Sequence, residues 1–235
     1  SIAWAGKRAN VDEFTKPEEL ASLKYPPGGP RPASEAVKTF QLHPEFNVTL
    51  AADENVAEKI MSVDWDPQGR LWVVETPEYP GGREIHQSDT RVSPWRIREP
   101  GKYPVGTSEQ RAARDRVSIL EDTNGDGVMD KKTVFADGLE LPTSLVFYKD
   151  GVIVSQAPET LWIRDTDGDG KADKVEVLFK GWGTRDTHAV TSNLRWGFDG
   201  WIYGAVGYSA GDITSGDGSK KFGKITAGLY RFRPD

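Results

Sequence analysis

At 235 residues with 37% apolar content and eight tryptophans, the chain can bury a substantial core, and its length is ordinary for one or two domains. Its net charge of −6, without a basic tract, argues against a nucleic-acid partner, and no apolar run approaches the length of a membrane-spanning helix. Cysteine is absent, which excludes disulfides, thiolate zinc sites and covalently attached c-type haem on this chain.

Gly, Pro and aromatic residues among short apolar runs predict an all-β chain. Residues 1–33 read as an extended N-terminal arm, with no basic–apolar–small leader at Ser1, as in a chain whose signal peptide has been removed. Within the arm, residues 16–24 suit a short helix with Pro17 in its first turn, and Pro26-Pro-Gly-Gly-Pro-Arg-Pro32 suits an extended connector. Ser34 is placed to cap one turn through Lys38. From Phe40 the pattern turns to strands: 46–50 and 60–65 alternate, and 70–75 follows the turn Asp66-Pro-Gln-Gly69.

That strand–turn–strand feature recurs at Tyr148-Lys-Asp-Gly151 and at Phe198-Asp-Gly200. A second repeat is more specific. Asp122-Thr-Asn-Gly-Asp-Gly-Val-Met-Asp130 returns 43 positions later as Asp165-Thr-Asp-Gly-Asp-Gly-Lys-Ala-Asp173. An oxygen-bearing side chain at alternate positions of a tight loop suits calcium, which takes six to eight oxygens at about 2.3–2.6 Å. The expected ligands of the first ion are Asp122, Asn124, Asp126, the Val128 carbonyl and Asp130. Those of the second are Asp165, Asp167, Asp169, the Lys171 carbonyl and Asp173. The alternative is a pair of acidic turns that need no ion. The flanks are β-rich and the twelfth positions are Thr133 and Glu176, so each ion would pin a β-hairpin rather than an EF-hand. Two ions would bring the formal charge to about −2.

Together the repeats define a unit of four short antiparallel strands, the pattern of a β-propeller blade. Residues 34–235 then form a partial β-propeller with units at about 60–137, 141–181 and 191–235, about two and a half blades. Insertions lengthen the first near 78–114 and the third at 209–224. The alternative is a β-sandwich. Rings of this kind close with four to eight blades, so the remaining blades belong to a longer chain or another chain.

Several stretches resemble one family: Phe40-Gln-Leu-His-Pro-Glu-Phe46, Gly69-Arg-Leu-Trp-Val-Val-Glu75 with Tyr79-Pro80, Val117-Ser-Ile-Leu-Glu-Asp-Thr-Asn-Gly-Asp-Gly127, and Asn193-Leu-Arg-Trp-Gly-Phe-Asp-Gly-Trp-Ile-Tyr-Gly204. It comprises the large secreted propeller proteins of Planctomycetes and Verrucomicrobia, often labelled membrane-bound dehydrogenases or haem-binding Cys-x-x-Cys-His proteins. Their propeller is similar to soluble quinoprotein glucose and sorbosone dehydrogenases. The resemblance implies a periplasmic or secreted bacterial protein that oxidises a small carbohydrate, sugar or sugar alcohol, with pyrroloquinoline quinone as cofactor and a cytochrome c as electron acceptor. It further implies His188 as the general base, because His188 precedes Asn193-Leu-Arg-Trp-Gly-Phe-Asp-Gly-Trp-Ile-Tyr203 much as the catalytic His of those enzymes precedes their G-R-L-x-x-G-x-D-G-x-I-Y strand. An imidazole suits that task, and Asp186 is placed to orient it.

The sequence departs from that motif in spacing by one residue and in having Asn193 before Leu194. The basic residues that hold the quinone in those enzymes come from blades outside this chain. Tyr79, Arg83, Trp95 and Tyr103, with Tyr208, are candidates for contact with a sugar ring. Most strand tryptophans (Trp65, Trp72, Trp162, Trp196, Trp201) are expected in the core. The second reading is a calcium-stabilised propeller that binds glycan or a partner protein without catalysis.

Overall fold

The computed structural model describes residues 31–77, 79 and 114–234, and the chain divides into two units, 1–50 and 51–235. In the first unit, one helical turn, α1 (Ala33–Ala36), runs into a 3-10 turn at Val37–Thr39. Pro32 stands at its N-cap and no side chain caps it, so Ser34 lies inside the helix rather than capping it. Phe46–Leu50 alternates as a strand would, yet it joins no ladder. Alternation becomes a strand only where another strand accepts its backbone groups. The predicted helix at 16–24 falls outside the described residues.

The second unit is all-β, and every strand pairing in it is antiparallel. Sheet 1 runs β1 (Ile60–Trp65), β2 (Leu71–Glu75), β3 (Asp115–Glu121), β4 (Lys131–Leu139), each strand beside its successor. Sheet 2 repeats the plan with β5 (Pro142–Tyr148), β6 (Gly151–Gln156), β7 (Glu159–Arg164) and β8 (Lys174–Lys180). Sheet 3 has β9 (Thr191–Trp196), β10 (Ile202–Val206) and β13 (Gly228–Phe232). The stretch 209–224, read as a polar insertion, contains most of the hairpin β11 (Gly211–Ser215) and β12 (Lys221–Ile225), which extends sheet 2 beyond β8. Thr214 and Ser215 pair with Lys180 and Phe179, and Ile213 enters the core.

Period-2 alternation explains how the sheets stack. On β5 and β6, Leu145, Val152 and Val154 join Trp72, Val74, Val117, Ile119 and Phe135 of sheet 1. The intervening Val146 and Ile153 join Leu194, Ile202 and Phe232 of sheet 3. Sheet 2 is therefore apolar on both faces and lies between its neighbours. The far face of sheet 1, with Leu71, Val73 and Leu120, is covered partly by the chain's own Ala52, Val56 and Ala57.

Each first strand carries a register shift near its start, at Ile60/Ser62, at Pro142/Ser144, and on β9 opposite Tyr203/Ala205. Such shifts free backbone groups, and at the junction of sheets 2 and 3 they are re-used. Ser144 Oγ accepts the Leu194 N–H at 3.1 Å, and Thr143 Oγ1 donates to the Thr191 carbonyl at 2.6 Å.

Among the described residues, two carboxylates of sheet 1, Glu75 and Asp115, are fully enclosed. Glu75 has no exposed surface, and its carboxylate accepts from Ser118 Oγ at 2.5 Å, Lys132 Nζ at 2.9 Å, the Glu58 N–H at 2.9 Å and Arg116 Nε at 3.2 Å. Burial alone would raise its pKa, but these donors outweigh it and hold the carboxyl below the usual glutamate value. The carboxylate's contribution to stability is therefore complete above the unfolded-state pKa and is lost as pH falls through the lower folded value. Glu75→Ala removes the carboxylate that Ser118, Lys132 and Arg116 share, leaving, among the described residues, Lys132 only the Val56 carbonyl and Arg116 only Glu58. It is expected to cost about 3 kcal/mol at neutral pH, with a smaller loss in strong acid, measured by urea unfolding across pH. An equal loss at every pH would contradict the assignment.

Candidate functional site

In an up-and-down sheet, successive connections alternate between its two ends. The β1–β2, β3–β4, β5–β6 and β7–β8 connections thus share one end of their sheets. Tyr79, which follows β2, the β8–β9 segment and the β10–β11 segment lie at the other. Among the described residues, every functional candidate falls at one of these two ends.

At the first end lie the acidic loops, which fold alike. Asp122 Oδ1 accepts from the Gly125 N–H at 2.7 Å and Oδ2 from Gly127 at 2.7 Å; Asp165 does the same with Gly168 at 2.7 Å and Gly170 at 2.9 Å. Gly127 and Gly170 both have φ of 86°, the left-handed backbone that a side chain would strain. Asn124 Oδ1 and Asp167 Oδ1 each accept from the N–H two residues on, as do Asp126 and Asp169 from Val128 and Lys171. Each loop is closed by its last Asp: Asp130 and Asp173 accept from the N–H and hydroxyl of Thr123 and Thr166.

Carboxylate oxygens of Asp165, Asp167 and Asp173 lie within 4.8 Å of one another. That spacing fits one cation of calcium's size. Backbone donors, Gly127 N–H foremost, hold Asp122 below the usual aspartate range, and the Thr166 hydroxyl does so for Asp173. Glu176, at the twelfth position, is engaged instead by Arg164 Nη1 at 3.0 Å and Lys174 Nζ at 2.9 Å.

The eighth loop position ties each loop outward. The Met129 N–H donates to the Ala51 carbonyl at 2.7 Å, and the Ala172 N–H donates to the carbonyl of Phe135 on β4 at 2.7 Å. Each acidic loop thus clasps a strand or segment outside its own hairpin, and the second bridges sheets 2 and 1.

At the opposite end, three connections meet. The Asp186 N–H donates to Ser209 Oγ at 3.1 Å, and Ser209 Oγ donates to the Asp186 carbonyl at 3.2 Å. Tyr208 OH donates to Asp186 Oδ2. Asp186 Oδ1 accepts the His188 N–H at 2.9 Å and lies 3.3 Å from His188 Nδ1. The Tyr79 ring meets the His188 ring edge-on with centroids 5.4 Å apart, and Lys59 Nζ holds the Tyr79 carbonyl at 3.2 Å. Beneath them pack Trp182, Val190, Val206 and Ile213.

The electrostatics follow from this geometry. The Tyr208 hydroxyl, then the His188 N–H, keep the Asp186 carboxyl below its ordinary value. The same bond to Asp186 raises the Tyr208 phenol, while burial first and the Asp186 charge second raise Tyr79.

Four residues singled out from sequence, Tyr79, Asp186, His188 and Tyr208, therefore come together; the Tyr208 hydroxyl is bonded to Asp186 while the residue is 58% exposed. Arg83, Trp95 and Tyr103 lie outside the described residues. Sequence reasoning misses Ser209 and Trp182; Ser209 stands 23 residues from the Asp186 it binds, with no motif linking them. Of the strand tryptophans, Trp72 is buried, whereas Trp65 and Trp196 are about half exposed.

A family model described as a domain of unknown function, DUF7133, matches residues 32–235. No curated protein matches the sequence.

The clasps yield a direct expectation for amide exchange. The Met129 and Ala172 amides, bonded outside their own loops, should exchange far more slowly than the Asn124 and Asp167 amides, read by hydrogen exchange with NMR. Equal rates at all four would mean that the clasps do not persist in solution.

Proposed function

We propose, for a chain that belongs to the DUF7133 family, that it forms a calcium-braced sector of a β-propeller whose other end carries the base for oxidising a carbohydrate hydroxyl. The carrying observation is the meeting of His188, Asp186, Tyr208 and Tyr79 from three connections, at the end away from the acidic loops.

The propeller reading is supported by a repeat in packing. On β5, Leu145 and Phe147 lie against sheet 1, where Phe147 meets Trp72 at 5.4 Å between centroids. On β9, Leu194 joins the sheet 2 core and Trp196 Nε1 donates to the Phe147 carbonyl at 2.9 Å. The matching pair on β1, Val63 and Trp65, shares a face with Leu71 and Val73 but is 45% and 54% exposed. A preceding sheet would cover Val63 as sheets 1 and 2 cover Leu145 and Leu194, whereas Trp196, the counterpart of Trp65, is itself 45% exposed. Further blades, on a longer chain or another chain, complete the ring in this reading.

Calcium is the cation that the loops fit, since they offer hard oxygen donors at close spacing and already anionic carboxylates. Bound there, it would fix the hairpins and, through Ala172 and Phe135, the join between sheets.

At the other end, a carboxylate against His188 Nδ1 favours the Nδ1–H tautomer, which leaves Nε2 as the basic nitrogen. Nε2 would take the proton of a substrate hydroxyl, and oxidation of the carbon would also need a bound hydride acceptor. Pyrroloquinoline quinone, which the family resemblance implies, carries several carboxylates and needs basic partners. Among the described residues the cluster offers it Arg185, beside Tyr208, and Lys59, whose Nζ is already engaged by the Pro77 and Tyr79 carbonyls. These residues do not fit the quinone by themselves, and we assign it no step. A cytochrome c acceptor and a periplasmic or secreted location complete the proposal.

The test is a dye-linked oxidation assay of the native protein on a panel of sugars and sugar alcohols. His188→Gln should lower turnover at least about 100-fold, and undiminished turnover would refute the base assignment. For the loops, calcium at a hundredfold excess over its Kd should add about 2.7 kcal/mol of stability for each loop that it occupies. Chelation should therefore lower the Tm, and an unchanged melting curve with no metal found by elemental analysis would refute the calcium reading.

A further inference from the structure

Tyr208 and Ser209 have a role in this cluster that neither an aromatic sugar contact nor simple packing accounts for. Asp186 is gripped at both its backbone and its side chain by these two consecutive residues. Ser209 Oγ accepts the Asp186 N–H at 3.1 Å and donates to the Asp186 carbonyl at 3.2 Å, which sets the path of the loop. Tyr208 OH occupies Asp186 Oδ2. That leaves Oδ1 for His188, whose backbone N–H and ring Nδ1 both turn to it at 2.9 and 3.3 Å. Ser209 is itself fully buried and its N–H is bound to the Ala189 carbonyl at 3.3 Å, so the grip is anchored to the same loop from below.

We propose that Tyr208 and Ser209 are positioning residues: they divide the two oxygens of Asp186 so that one is committed to the phenol and the other fixes the tautomer and direction of the His188 ring. This rests on the reading of His188 as a base but can fail separately from it. Carboxylates accept several donors, and without Tyr208 only the His188 N–H, among the described residues, would restrain the carboxyl, which could then turn about its terminal bond and present either oxygen, or water, to the imidazole. Among the described residues, Asp186 and Tyr79 meet the ring, with Tyr208 on the Asp186 carboxylate and Arg185 acting on Tyr208. Of these, Asp186 is the group whose oxygen faces Nδ1, at 3.3 Å.

The measurement is the side-chain 15N spectrum of histidine-labelled whole protein, with His188 assigned by His188→Gln, at a pH where its ring is neutral. The wild type should show the Nδ1–H tautomer. Tyr208→Phe, which keeps the ring and removes the hydroxyl, should give shifts that move toward a tautomer mixture, and Asp186→Asn should do so further. Ser209→Ala should have an intermediate effect. With 13C-labelled tyrosine, Asp186→Asn should also bring the Tyr208 titration down toward the ordinary phenol value. An Nε2–H tautomer in the wild type, or a Tyr208→Phe spectrum identical to it while Asp186→Asn changes, would overturn the proposal. Should turnover be absent on every substrate while these spectra behave as stated, the base assignment falls and the positioning role stands. Where turnover is found, Tyr208→Phe should lower kcat about tenfold with KM little changed; a change in KM alone would assign Tyr208 to substrate contact instead.

Discussion

A sheet that is apolar on both faces cannot stand by itself, and sheet 2 is such a sheet. Val152 and Val154 point one way and Ile153 the other, so water must be excluded from both sides. At about 1.5–3 kcal/mol for each enclosed aliphatic side chain, no surface hydrogen bond or ion pair competes with this demand. Sheets 1 and 3 exist in their positions because they meet it. They in turn have far faces that are covered only in part, by Ala52, Val56 and Ala57 for sheet 1, and not at Leu229 for sheet 3, which is exposed.

The same constraint separates the two kinds of site. Stacking requires each sheet to be laid down in strand order, and strand order places alternate connections at opposite ends. The turns shaped by Asp66 and by Asp150 share one end with the acidic loops. Asp66 illustrates the local chemistry. Its buried carboxylate accepts from the Arg70 N–H at 2.9 Å, Arg70 Nε at 2.6 Å and Trp72 Nε1 at 2.9 Å, and so welds the turn to the core ring that faces sheet 2. The β8–β9 and β10–β11 segments lie at the other end with Tyr79, and their approach brings Asp186, His188, Tyr208 and Tyr79 into one place.

Much of this was legible in the sequence where the information is local. The twin D-x-[DN]-x-D-G-x-x-D loops, their hairpins and the strand order of sheets 1 and 2 follow from turn residues and alternation within a few positions. What escaped was non-local. Strand β11 has a weak apolar pattern, and only its meeting with Lys180 and Phe179 makes it part of sheet 2. Phe46–Leu50 has the stronger alternation but no ladder to join. Trp65 and Trp196 look like core residues because the sequence cannot say whether a neighbouring sheet is there to cover them. Ser209 illustrates the same limit within the site, since its partner is fixed by the approach of two connections rather than by spacing along the chain.

The proposed role of the molecule depends most on the acidic loops being cation sites that brace the stack at the end remote from His188. Anomalous diffraction from calcium-soaked crystals tests this most directly. The expected result is two peaks, one inside each of the loops 122–130 and 165–173, with the Asp165, Asp167 and Asp173 oxygens at about 2.3–2.6 Å from the second. No peak in either loop at saturating calcium, with ions found only elsewhere on the surface, would contradict it.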